Sequence, residues 1–238
     1  MNKRTLLAAL AAFIPLTAPA SAQEIHSPYD FVDPSMEFWA FGSTVFTDRG
    51  TIDIGPGSGY AGGLGFTVRI SGPFNFDTRV AYLPTSRHVH TVMEGVDPDS
   101  VLVDPMLGLE QVGEADLSLL LLDASLRFDV TGPRTWYRLQ PYALIGVGGV
   151  LAAASDNDAE ENLPEDADLR VRFRNGFTGH VGAGVEVYLS DRFTVRAEGR
   201  DLLWKIHVPD GFFTEGRVID DEEWVQTGHV SLGLAFRF

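Results

Sequence analysis

The chain has 238 residues, with 18 basic against 33 acidic side chains, a formal net charge of −15 and no cysteine. Such acidity excludes a nucleic-acid partner, whose phosphates need a basic footprint, and the lack of cysteine excludes a disulfide framework. The length suits one domain with long loops.

The first element is a leader. Lys3 and Arg4 form a basic start, "TLLAALAAFIPLTAPA" is an apolar core, and Ala20-Ser21-Ala22 is a small-residue cleavage site. This is the layout of a secretory signal peptide over residues 1–22, and the apolar core is shorter than the ~17–25 residues of a helical span. No cysteine follows it, so a lipoprotein anchor is not expected. Residues 23–35 read as a short periplasmic segment, and 36–238 as the folded domain. No later stretch reaches the ~18 consecutive apolar residues of a membrane helix.

Beyond the leader the chain alternates with period two, the sign of strands with two unlike faces. "MEFWAFGSTVFT" is strand-like with an ambiguous phase. In "GYAGGLGFTVRIS" the Tyr60, Leu64, Phe66, Val68 and Ile70 face opposes Thr67, Arg69 and four small residues. "FDTRVAY" sets Phe76, Val80 and Tyr82 against Asp77 and Arg79; "LLDASLRFDV" sets Leu122, Leu126, Phe128 and Val130 against Asp123, Ser125, Arg127 and Asp129. "PYALIGVGGVLAA" is small and apolar throughout, again without a clear phase. "FTGHVGAGVEVYL" places Val181, Val185 and Val187 opposite His180, Glu186 and Tyr188, and "FTVRAEGR" places Phe193 and Val195 opposite Arg196, Glu198 and Arg200. The last run, "HVSLGLAFRF", alternates to its end: Val230, Leu232, Leu234, Phe236 and Phe238 against His229, Ser231 and Arg237.

This predicts about eight strands, each near the ~9–11 residues of a tilted membrane strand. The connections alternate too. "SGPFN", "TGPRTWYRL" and "SDR" are short; the stretches around 48–58, 87–114, 155–175 and 206–223 are long. Short periplasmic turns and long external loops are the layout of an outer-membrane barrel. The expected fold is all-β, an antiparallel up-and-down transmembrane β-barrel. A soluble lipocalin-like barrel alternates in the opposite sense, apolar inside, and the leader and the loop asymmetry argue against it.

The alternating end with its terminal Phe238 resembles the C-terminal signal of bacterial outer-membrane barrels. Residues 36–238 resemble the small eight-stranded outer-membrane β-barrel superfamily, similar to the barrel portion of the OmpA, OmpX and opacity-type proteins. The resemblance rests on pattern, not on an invariant motif. It implies that Phe238, Phe236 and Leu234 are read by the outer-membrane assembly machinery. It gives no sign of the periplasmic peptidoglycan-binding domain of full-length OmpA-type proteins.

In a membrane barrel the apolar face meets lipid and the charged face points inward. An eight-stranded lumen is only wide enough for side chains, and buried charges need partners. The expected interior is an ion-pair network of Arg69, Asp77, Arg79, Asp123, Arg127, Asp129, Glu186, Arg196, Glu198, Arg200 and Arg237, joined by His180 and His229. Such a plug closes a pore; Glu186, Glu198 and Arg200 are the gating candidates if it does not. Trp39, Tyr60, Tyr82, Trp136, Tyr137, Tyr142, Trp204 and Trp224 are expected near strand ends as aromatic girdles.

Candidate chemistry is thin. Acid concentrates in "SDNDAEENLPEDAD" and "IDDEEW". The spacing of Asp156, Asp158 and Glu160 suggests a calcium loop, but the central glycine is missing and position 167 is alanine, so these are weak candidates and no metal or cofactor is expected. Arg170, Arg172 and Arg174 share one face and suit the acidic stretch before them or lipopolysaccharide phosphate. "SRHVH" places Ser86, His88 and His90 at a strand's outer end, where the two histidines also fit a weak metal site. No nucleophile motif surrounds them, so an enzyme is not expected. The expected function is a monomeric barrel of the bacterial outer membrane that supports envelope integrity or surface interaction. Its partners are then membrane lipid, lipopolysaccharide, the assembly machinery and a surface ligand on the acidic loops. A small gated channel is the alternative, and a lipid A-modifying enzyme comes third.

Overall fold

A computed structural model describes residues 28–31, 36–93, 109–156, 163, 171, 175–209 and 222–238. The leader, at 1–22, lies outside them, as do Asp158, Glu160, Arg170, Arg172 and Arg174. Ten strands are present among the described residues: β1 (Tyr29–Phe31), β2 (Met36–Thr47), β3 (Gly59–Ser71), β4 (Phe74–Val92), β5 (Leu109–Asp129), β6 (Arg134–Trp136), β7 (Leu139–Asp156), β8 (Gly176–Tyr188), β9 (Phe193–His207) and β10 (Glu222–Arg237).

Eight of them close a ring. Antiparallel neighbours run β7-β5-β4-β3-β2-β10-β9-β8, and β8 pairs back onto β7. The seam joins β10 to β2 from Thr227↔Thr47 to Arg237↔Glu37. Beyond that pair, Phe238 and Met36 exchange backbone hydrogen bonds at 3.1 and 3.3 Å. Closure gives each strand of the ring a hydrogen-bonded neighbour on both sides, the condition for crossing lipid with strands. No helix among the described residues is long and apolar enough to cross a membrane.

The two short strands sit at the end of the tight turns, where β1 pairs with β6. The stretch read as one connection, "TGPRTWYRL", therefore contains β6. Trp136 pairs with Leu139, leaving a two-residue turn in which Tyr137 and Arg138 have φ of 49° and 64°. That is the left-handed region a tight hairpin of this hand requires. The Tyr137 N–H is held by the Pro28 carbonyl at 2.9 Å.

At the opposite end the strands run further than expected. β4 has 19 residues and β5 has 21, about twice the membrane requirement. The connection expected over 87–114 is thus corrected: 87–92 and 109–114 are paired strand, from Arg87↔Ala115 to Val92↔Leu109. The wall of the barrel stands above the membrane on this side.

The outer surface carries the apolar face: Leu64, Phe76, Val80, Leu122, Leu126, Ile145, Val147, Leu232 and Leu234 are all exposed. The uncertain phases are resolved by burial. In β2 Glu37, Trp39, Phe41, Ser43 and Val45 point inward; in β7 Tyr142, Leu144 and Val150 do. Trp39, Tyr142 and Trp204 are buried in the lumen, which corrects their placement in a girdle. Tyr60, Tyr82, Trp136, Tyr137 and Trp224 are exposed on the outside.

Candidate functional site

The lumen divides into two compartments along its axis. Every second residue of a strand faces inward, and on several strands that inward series passes from charged to apolar, with a buried Arg87 following at the outer end of β4. On β4 it runs Asp77, Arg79, Ala81, Leu83; on β5, from the short-turn end, Asp129, Arg127, Ser125, Asp123, Leu121, Leu119, Leu117; on β9, Arg196, Glu198, Arg200, Leu202, Trp204, Ile206. The charged compartment lies toward the short turns, which face the periplasm in this architecture. The apolar compartment lies toward the long connections. The charged residues expected to face the interior all lie in the first of these compartments, and the second is lined mainly by apolar side chains.

In the charged half several of the pairs cross the lumen. β4 and β9 are four strands apart in either direction round the ring, so they face each other across it. Arg196 Nη1 reaches Asp77 Oδ2 at 2.8 Å, and Arg200 Nη2 reaches Asp77 Oδ1 at 2.7 Å. Glu198 accepts from Arg196 Nη2 at 2.7 Å and lies 3.8 Å from Arg79 Nη1. Arg79 also pairs with Asp123 at 2.7 Å. Nearer the turns, Arg127 pairs with Glu186, and its Nε donates to Asp129 at 2.7 Å. Arg69 stands at 4.0 Å from Asp129, at the edge of the cluster, and Arg237 packs on the Tyr188 ring.

Uncharged groups complete the network, and the sequence did not flag them. The Tyr142 hydroxyl donates to Glu198 and accepts from Arg196 Nε, both at 2.7 Å. Thr67 donates to Asp77, and Asn75 and Gln140 to Asp129. Arg196 is sandwiched by Trp39 and Tyr142, with ring distances of 4.1 and 4.9 Å. Both rings need a glycine opposite: a Cβ at Gly65 would strike the Trp39 indole, and one at Gly184 the Tyr142 hydroxyl. His180 shares a hydrogen bond with Ser125 at 2.7 Å; His229 is buried at the boundary of the two compartments.

Above this layer, Val45, Leu83, Leu117, Leu119, Leu121, Leu202, Trp204, Ile206 and Val225 fill the lumen. The connection after β2 folds in over them, and Ile52 and Ile54 are fully buried in the same core. The void left among Leu83, Leu119, Leu121, Leu202 and Trp204 is about 10 Å³, at the limit of a single water. A larger recess, about 370 Å³, opens on the outer flank, where β8 starts at Gly176 while β9 continues to His207. There Lys205 donates to Glu222 at 2.7 Å, and that contact holds the Glu222 carboxyl below its ordinary range.

Ser86, His88 and His90 lie at the outer end of β4. The Ser86 hydroxyl is turned to Glu114 at 3.5 Å, and His88 to Asp53 at 2.6 Å. Asp156 ends β7.

A family model for the outer membrane protein β-barrel domain matches residues 6–238. The chain belongs to this family. It is a protein of the bacterial outer membrane. Among solved structures, it is similar to the neisserial surface protein A, NspA, at 12% identity and a TM-score of 0.51, covering 85% of this chain and 97% of that one. It is also similar to OprG from Pseudomonas aeruginosa, at 13% identity and a TM-score of 0.53, covering 87% and 97%. At such identities the likeness is one of fold. A comparison with curated proteins finds no match.

Proposed function

We propose that this protein is a closed, non-enzymatic barrel that supports outer-membrane integrity and presents its acidic outer connections for surface interaction. One observation carries the closed reading: Asp77 on β4 holds Arg196 and Arg200 of the opposite strand β9 at 2.8 and 2.7 Å. Ion pairs between facing walls leave no open path, and an eight-stranded barrel has no second path around them. The acidic runs at 156–168 and 220–223 flank the outer ends of β7 and β10, where they suit divalent bridging to lipopolysaccharide phosphates or a basic ligand.

The experiment is conductance of the refolded protein in a planar lipid bilayer, with folding verified by a heat-shifted gel band. The expected outcome is a silent bilayer. Discrete current steps from folded protein overturn the closed reading in favour of a small channel. Deleting the acidic connection between β7 and β8 is expected to leave the barrel folded and to abolish surface binding.

A further inference from the structure

The outer mouth holds a group of side chains that the closed-barrel reading does not use. Asp53, His88 and His90 each offer one donor atom, and the three atoms lie within 4.8 Å of one another. We propose that they form a binding site for a divalent transition-metal ion of the Zn²⁺ class. This goes beyond the closed-barrel function and does not depend on it.

Three observations support the site. First, its ligand types are right: two imidazoles and a carboxylate suit Zn²⁺ and its first-row neighbours, whereas Ca²⁺ and Mg²⁺ favour all-oxygen shells. Second, His90 is 3% exposed and its Nδ1 has no hydrogen-bond partner. A buried, unpaired ring nitrogen is costly, and a metal ion is one of the few partners that satisfies it. Third, the carboxylate is held in place. Asp53 sits at φ 57°, a conformation that aspartate tolerates better than most residues. The turn around it is fixed by Gly55 N–H to the Arg49 carbonyl at 2.8 Å and Gly57 N–H to the Ser86 carbonyl at 2.8 Å. Buried Ile52 and Ile54 anchor it on either side. A loop pinned in this way presents its ligand with little left to order.

The proton inventory shows how the site loads. Arg49 only donates, and it contacts His88 Nε2. That nitrogen therefore accepts, so Nδ1 carries the ring proton and donates it to Asp53 Oδ2 at 2.6 Å. A metal ion binding between Asp53, His88 Nδ1 and His90 displaces this shared proton. The proton moves to Nε2 of the same ring, where Glu114 Oε1, 3.4 Å away, accepts it, and the Arg49 guanidinium swings off. Carboxylate, histidine and metal then form the usual outer-shell relay. The ligand atoms must draw in to roughly 3–3.5 Å from one another to give bonds near 2.1 Å, which side-chain rotation supplies. Arg49 is the competitor of the ion: it covers the same histidine and carries the same sign of charge.

The test uses refolded full-length barrel without a polyhistidine tag, titrated calorimetrically with Zn²⁺ in excess Ca²⁺ and Mg²⁺ to saturate the acidic connections. One equivalent should bind. His88→Ala and Asp53→Asn should each weaken binding about tenfold or more, Glu114→Gln within the about 10–100-fold range of an outer-shell partner, and Arg49→Gln should tighten it. Cu²⁺ loaded on the unaltered protein should show the electron-spin couplings of two imidazole nitrogens, a readout that needs no variant. The proposal fails if no single-equivalent isotherm appears, if the variants bind like the parent, or if the Cu²⁺ signal shows only oxygen ligands. Success or failure here leaves the bilayer result untouched.

Discussion

Asp77 is the residue on which the charged compartment turns. Its two oxygens serve Arg196 and Arg200 separately, and Thr67 adds a third donor. Replacing it by alanine leaves two buried guanidinium groups short of a partner. Removing one member of a buried pair costs about 3–5 kcal/mol, so Asp77→Ala should lose stability in that range, read by denaturant unfolding in lipid vesicles. Asp77→Asn keeps one acceptor and should lose less. If both variants unfold with the parent, the pairs contribute no net stability. The charged members were legible from alternation alone, because parity fixes the face and charge fixes which face is inward. Tyr142, Trp39 and Glu37 were not: they lie on β7 and β2, where small or mixed residues on both parities hid the phase. Asp53 was illegible for another reason. It reaches His88 only because residues 48–58 fold back over the mouth, and no periodicity encodes that contact.

At the scale of the strand, the change of character inside the lumen was present in the sequence. Continuing the parity of Arg196, Glu198 and Arg200 gives Leu202, Trp204 and Ile206. In "LSLLLLDA" leucines occupy both parities, the pattern of a strand buried on both faces. Adjacent leucines of β5 provide the test. Leu121 is 3% exposed inside the lumen and Leu122 is 38% exposed on the lipid face. Leu121→Ala leaves a hole in a packed core and should cost about 2–5 kcal/mol. Leu122→Ala leaves a gap that lipid chains refill, so its cost should be much smaller. Leu122→Arg should cost about 2–4 kcal/mol, the penalty for a charge at mid-bilayer. Equal losses for the two alanine variants would contradict the assigned faces.

For the whole molecule, the two compartments block passage by different means. The lower layer blocks by ion pairs between β4 and β9; the upper layer blocks by packed apolar side chains beneath Ile52 and Ile54. A defect in one leaves the other intact. Arg200→Ala removes the contacts to Asp77 and Glu198 and opens space at the boundary, where water can collect. An ion leaving that space outward still meets a layer whose void is about 10 Å³ and whose lining offers few polar groups beyond Thr47 and Thr227, too small for a hydrated ion and too poor in oxygen ligands to replace its water. Arg200→Ala should therefore remain silent in a planar bilayer while losing stability. Conduction should require a second change above it, such as Leu119→Ser with Leu202→Ser in the same chain. Current from Arg200→Ala alone would show that the apolar layer is not a seal, and that the ion pairs are the gate of a channel.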